Sequence, residues 1–202
     1  MLLRFLDRQT YVNFFVFFSL LLITLSTLFT LSTSTHASVR NLGTVDDGIY
    51  RGGRLYGHVD FQTLSELGVD TIINLEYFHK DSAALCHRFN FDCKKYGILL
   101  LPVVSTRFYH ERFKAAFRAV LRARAEGKTV FFHCHHGSDR AGTLSAALMI
   151  RKRVCGKDYD PESLRKEISD TLLAYGFKAR YFPNLYKEII SWTKNPPTWI
   201  CD

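Results

Sequence analysis

The sequence predicts an α/β domain: a central, mostly parallel sheet flanked by helices, with a hydrophobic helix ahead of it at the N-terminus. Three observations carry this. Short apolar runs alternate with segments of helical periodicity, and strands that alternate with helices pack as a parallel sheet covered on both faces. One such run, Val130-Phe131-Phe132-His133, passes through a polar loop straight into a long apolar helix. Val12 to Leu31 is a stretch of twenty residues without a charge.

Composition sets the bounds. A chain of 202 residues, 47% apolar, can hold one domain with a sizeable core plus an N-terminal extension. Lys and Arg number 27 against 19 Asp and Glu, a net charge of +8, which favours anionic partners. The basic residues are dispersed, so they point to phosphate esters and not to nucleic acid.

Residues 1–37 read as a signal peptide or a membrane anchor. Arg4 and Arg8 precede the apolar centre, and small residues follow it, with Thr35-His36-Ala37 as a cleavage site. Residues 12–31 are also long enough to span a bilayer if uncleaved. Both readings place the remainder, residues 38–202, outside the cytoplasm (periplasmic or extracellular, or anchored at the membrane), because Arg4 and Arg8 hold the N-terminus inside.

The folded domain begins near Val39, and Gly43 to Leu55 is a turn leading into a short strand. Phe61, Leu64 and Leu67 share one face of a helix from Asp60 to Leu67, which Gly68 closes. Asp70 to Leu75 is a β-branched buried strand. Asp81 to Phe89 reads as a helix. Gly97 to Pro102 reads as a further buried strand, stopped by the proline. His110 to Ala125 is amphipathic, with Phe113, Phe117, Val120 and Leu121 on one face. Thr129 to Phe132 is the strand feeding the polar loop. The helix from Gly142 to Val154 is apolar almost all round and belongs at the centre. Asp160-Pro161 caps and starts a helix with Leu164, Ile168, Leu172 and Tyr175 on one face, closed by Gly176, and Phe182 to Trp192 forms the last.

The loop carries the chemistry. Cys134 opens it and Arg140 closes it, with His135, His136, Gly137, Ser138 and Asp139 between. N–H groups of a loop curling into a helix N-terminus converge on one point, and the helix dipole favours negative charge there. Arg140 adds a planar grip on two phosphate oxygens. The same field favours a thiolate at Cys134. Gly137 lets the backbone bend where a side chain would obstruct the anion.

The string His133-Cys134-x5-Arg140 resembles the protein tyrosine phosphatase superfamily, and the Asp139-Arg140-Ala141-Gly142 ending is most like its dual-specificity and related bacterial members. Tyr50-Arg51-Gly52-Gly53 is similar to the opening of the same group, and places Arg51 and Arg54 either near the phosphate pocket or in an exposed turn. The resemblance implies that Cys134 attacks phosphorus, giving a cysteinyl-phosphate that water then hydrolyses, without a metal or other cofactor. It implies phosphoproteins, or inositol phosphates and phosphoinositides, as substrates. His133 is expected to hydrogen-bond within the loop base. His135, His136, Gly137, Ser138 and Arg140 would hold the substrate.

Two departures from the family pattern stand out. The stretch Pro102 to Glu111, where the family's proton-donating Asp belongs, has none. His110, Glu111 and Asp139 are the alternatives, and Asp139 is taken as the catalytic acid because members acting on inositol lipids also carry Asp before the Arg. Ala141 stands where the family usually has Ser or Thr, and Thr143 points elsewhere, which predicts slow hydrolysis of the intermediate. A catalytically weak phosphate-binding module, a pseudophosphatase, is therefore the alternative. A sulfurtransferase is disfavoured by the spacing to Arg140. His133, Cys134, His135 and His136 are consecutive and cannot all turn onto one metal ion. Cys86, Cys93, Cys155 and Cys201 remain, either free or in two disulfides, with Cys86 and Cys93 the local pair.

Overall fold

A turn at Gly48 (φ +61°) folds Gly43–Asp46 (β1) back on Ile49–Gly52 (β2) as an antiparallel pair. A two-residue link leaves no length for a crossover, so these strands can only form a hairpin. His58–Glu66 (α1) follows, then Thr71–Glu76 (β3), Ala83–Arg88 (α2) and Asp92–Ile98 (β4). Arg107–Ala125 (α3), Val130–His133 (β5), Asp139–Val154 (α4), Pro161–Ala174 (α5) and Pro183–Ser191 (α6) complete the fold, with a last 3-10 turn at Thr198–Ile200. The computed structural model describes residues 39–100 and 107–202, and of 107–109 the backbone alone.

The sheet order is β1-β2-β5-β3-β4. Strand β5 is parallel to both β2 and β3, and β3 is parallel to β4. The sheet is thus mixed: the expected parallel core carries one antiparallel edge strand, β1.

Alternation along the strands sends residues to two faces. Ile73, Leu75, Val130 and Phe132 enter a core shared with α3, α4, α5 and α6. Ile72 and Phe131 enter a second core with Phe61 and Leu64 of α1. Helix α4 is buried through most of its length, as its all-round apolar pattern predicts.

Several boundaries differ from expectation, three of them for a clear physical reason. The fourth strand runs from Asp92 to Ile98, not from Gly97 to Pro102. It is an edge strand whose Asp92, Lys94 and Lys95 face solvent, so its pattern is polar, whereas Leu99 and Leu100 lie past its end and Leu101 and Pro102 fall outside the described residues. Helix α1 begins two residues before Asp60, because the Asp60 carboxylate accepts the Tyr56 and Gly57 N–H groups (2.6 and 3.3 Å) and closes the turn ahead of it. Helix α4 begins at Asp139, directly off the loop.

Cys86 is bonded to Cys93, and Cys155 to Cys201, leaving Cys134 as the free thiol. The second bridge pins the C-terminal turn, where Trp199 packs edge-on against Phe117 (5.2 Å between centroids). Among the described residues no helix is long and apolar enough to cross a membrane. The signal or anchor expected at residues 1–37, with its apolar centre at 12–31, lies outside them.

Candidate active site

Strand β5 ends at the carboxyl edge of the sheet, between β2 and β3. Its last residue, His133, is in register with Gly52 on one side and Asn74 on the other. The chain then turns through residues 134–138 and enters α4 at Asp139. Gly137 sits at φ +75°, and a Cβ there would lie 2.7 Å from the Gly52 carbonyl carbon. Only glycine accepts both the conformation and the contact.

A cleft of about 610 Å³ opens on this loop. Cys134, His135, His136, Asp139 and Arg140 all face it, so the structure gathers most of the sequence-predicted site residues at one place. Cys134 is almost fully buried at its floor. The Arg140 guanidinium is steadied by the Leu75 and Ile98 carbonyls (3.4 and 3.3 Å) at the ends of β3 and β4. Asp139 accepts the Lys178 N–H at 2.8 Å and the Ser138 hydroxyl at 3.3 Å. Ser138 is buried at the helix start. His135 and His136 stand edge-to-face, 4.2 Å between centroids, and burial together with His135 and Lys178 holds the His136 imidazole below its ordinary pKa.

His133 is wholly buried, and its bond runs sideways and not within the loop: Nε2 meets Asp81 Oδ2 at 3.1 Å. Burial pushes the Asp81 carboxyl up, but the His133 hydrogen bond and charge outweigh this and hold it below the usual carboxylate range. Glu76 behaves alike. Burial raises it, and its paired hydrogen bonds with Arg54, one of them at 2.8 Å, bring it lower.

The proposed substitutes for the acid, His110 and Glu111, are engaged elsewhere. His110 Nε2 meets Glu188 Oε1 at 2.7 Å, and Glu111 pairs with Lys114 at 3.1 Å. Residues 101–106, where the family's acid would fall, lie outside the described residues. Ala141 is fully buried, and the Thr143 hydroxyl donates to the Asp139 carbonyl (2.8 Å), turned away as expected.

Sequence reading left Arg51 undecided, and the structure buries it completely behind the loop. It missed Asp81 and Glu76. It also missed the aromatic rim of the cleft: Tyr77, Phe78 and Tyr181, of which Phe78 is 87% exposed. The partnership of β2 and β5 that brings Arg51 here has no local signal. Among the described residues no group of three His, Cys, Asp or Glu side chains is arranged to hold a metal ion.

Residues 98–158, which span α3, β5, the loop and α4, match the model of the tyrosine phosphatase family. Over that stretch the chain is similar to the tyrosine phosphatase family. No curated protein sequence matches it. Its phosphatase-like fold is similar to TpbA of P. aeruginosa, at 19% identity and a TM-score of 0.56 over 81% of this chain and 94% of that one. It is similar to the catalytic core of the PP-IP phosphatase SIW14 of S. cerevisiae, at 16% identity and a TM-score of 0.52 over 79% and 96%. PTPMT1, solved in complex with PI(5)P, matches at 16% identity and a TM-score of 0.53 over 76% and 97%. Against the pattern of the family it resembles, this chain has Ala141 after the loop arginine and no Asp between Pro102 and Glu111.

Proposed function

We propose that this chain is a phosphomonoester hydrolase that works through a cysteinyl-phosphate. The observation that supports it best is the placing of the free thiol Cys134 and the Arg140 guanidinium in one cleft, at the N-terminus of the buried helix α4. Cys134 Sγ attacks phosphorus in line, the S–P bond forms and the ester P–O bond breaks. Arg140 and the loop N–H groups hold the charge spread over the equatorial oxygens. Asp139 gives the departing oxygen its proton. The other described carboxylate facing the cleft, Glu76, is tied to Arg54. Water then attacks phosphorus and gives a proton to the Asp139 carboxylate, the S–P bond breaks to return the Cys134 thiolate, and phosphate leaves.

The substrates are phosphoproteins or inositol phosphates and phosphoinositides. Support for the latter comes from the neighbours: one is named a PP-IP phosphatase, another is bound to PI(5)P. Two disulfides fit an oxidising compartment, which supports an exported or membrane-anchored placement through residues 12–31.

The buried Ala141 favours a second reading, a phosphate-binding module with little turnover. Phosphate release from p-nitrophenyl phosphate by the full chain, with Cys134→Ser alongside, separates them. Turnover lost in Cys134→Ser is the expected result. Equal rates in both proteins would sink the mechanism, and phosphate binding without turnover would leave the binding module.

A further inference from the structure

Groups outside the loop hold it from behind. The Arg54 N–H donates to the His135 carbonyl (3.3 Å), Asn41 Nδ2 to the His136 carbonyl (3.3 Å), and Arg51 Nη2 to the Gly137 carbonyl. Three consecutive carbonyls are thus drawn toward β2 and the turn before β1. In a trans peptide the C=O and the N–H that follows it point in opposite directions. The N–H groups of His136, Gly137 and Ser138 are therefore turned the other way, to the side on which Cys134, Asp139 and Arg140 face the cleft. Successive N–H groups turned to one side make an anion cradle.

Arg51 is the member of this set that fold stability alone does not explain. Its side chain is 0% exposed and lies over the Tyr175 ring, 3.5 Å from the centroid. Its Nε and Nη1 atoms have no hydrogen-bond partner, and no carboxylate among the described residues pairs with it. Burial pushes the guanidinium below its ordinary pKa, and Tyr175 and Cys134 push back. A buried cation without a carboxylate to pair it is a cost to folding. That cost is offset when an anion occupies the space in front of it.

We propose that Arg51 is a positioning residue of the anion cradle: it draws the Gly137 carbonyl back and sets an uncompensated positive charge behind the loop, so that a phosphate group binds in front without touching it. This rests on the reading of the cleft as a phosphate site. Asn41 acts in the same way on the neighbouring peptide through its side-chain amide alone. Asn41 also donates to the Tyr175 carbonyl (2.9 Å), which ties the stacking ring into the same wall.

The test is calorimetric titration of the full chain with inorganic phosphate, at fixed pH and ionic strength, with melting temperatures measured alongside. Arg51→Met is expected to weaken binding by about tenfold, the scale of one hydrogen bond to a charged group. Arg51→Lys, which keeps the charge and loses the fork, is expected to weaken it by roughly threefold, and Asn41→Ala by a similar factor. A merely structural role would lower the melting temperature and leave the affinity of the folded protein unchanged; native affinity in folded Arg51→Met overturns the proposal. Equal losses in Arg51→Met and Arg51→Lys overturn its charge component. If Arg51→Met does not fold, unchanged affinity in both Arg51→Lys and Asn41→Ala overturns it. A native chain that binds no phosphate removes the phosphate-site reading together with this one. A chain that binds phosphate but hydrolyses no ester removes the hydrolase reading alone.

Discussion

Gly137 and Gly52 meet backbone to backbone: a methyl group on residue 137 would lie 2.8 Å from the Gly52 carbonyl oxygen. Residue 137 also has φ +75°, a conformation that costs an L-residue about 1–2 kcal/mol before any clash. Gly137→Ala is expected to lower stability by more than that strain alone, and to weaken phosphate binding because the loop must lift off β2. Thermal melting and phosphate titration of the variant check both. An unshifted melting temperature would show that the contact relaxes freely.

Arg140 is held by two backbone carbonyls and faces the cleft as a planar fork. Arg140→Lys keeps the charge and loses the two-oxygen grip. Steady-state kinetics on p-nitrophenyl phosphate should show kcat/KM reduced by about 10²–10³-fold, the scale for one lost transition-state donor. A loss below about fivefold would mean that Arg140 serves as a point charge.

Ala141 carries no hydroxyl where the family this chain resembles usually has Ser or Thr. In the proposed mechanism, release of Cys134 from the cysteinyl-phosphate should then limit turnover. Rapid mixing with p-nitrophenyl phosphate is expected to show a burst of nitrophenol close to one per chain. Ala141→Ser should shrink the burst and raise kcat several-fold, about 1 kcal/mol of hydrogen bonding. A native chain without a burst places the slow step elsewhere.

Acid should loosen the wall beside the loop. The Asp81 and Glu76 carboxyls are both held below their ordinary values of 3.8 and 4.5. A depressed folded-state pKa adds stability above the unfolded value, and that stability is lost as pH falls through the folded one. The melting temperature should therefore drop below about pH 4. In Asp81→Asn the drop should be shallower, since His133 then faces an amide that does not titrate. A native acid limb in Asp81→Asn would assign the effect to other carboxylates.

Reducing agent should destabilise the domain unevenly. In the chain-entropy account, a bridge between residues 46 apart is worth about 4 kcal/mol and one between residues seven apart about 2.5. Cys201→Ser is expected to reproduce most of the fall in melting temperature that dithiothreitol causes. Cys93→Ser doing so instead would reverse that order.

The loop was legible because its chemistry is contiguous: Cys134, Gly137, Asp139 and Arg140 share one short string, and their spacing alone brings them to one helix end. The buried runs of β3 and β5 and the all-round apolar α4 were legible for the same local reason. Strand β4 was misplaced because an edge strand shows solvent its Asp92, Lys94 and Lys95, and the apolar residues after it imitate a core strand. Arg51 was ambiguous for a different reason. A buried arginine and an exposed turn arginine are spelled alike, and what separates them is the register of Gly52 with His133, 81 positions later. Asp81 reaches His133 by a similar long return.

The five cysteines of this chain resolve into two bridges and one thiol. If the proposed function holds, Cys134 is the molecule's own active-site counter: under non-reducing conditions, each equivalent of thiol reagent consumed reports one loop. The same arithmetic leaves the residue without a rescuer. Once Cys134 is oxidised to a sulfenic acid, no second thiol in the chain can condense with it, and recovery depends on a small thiol supplied by the surroundings.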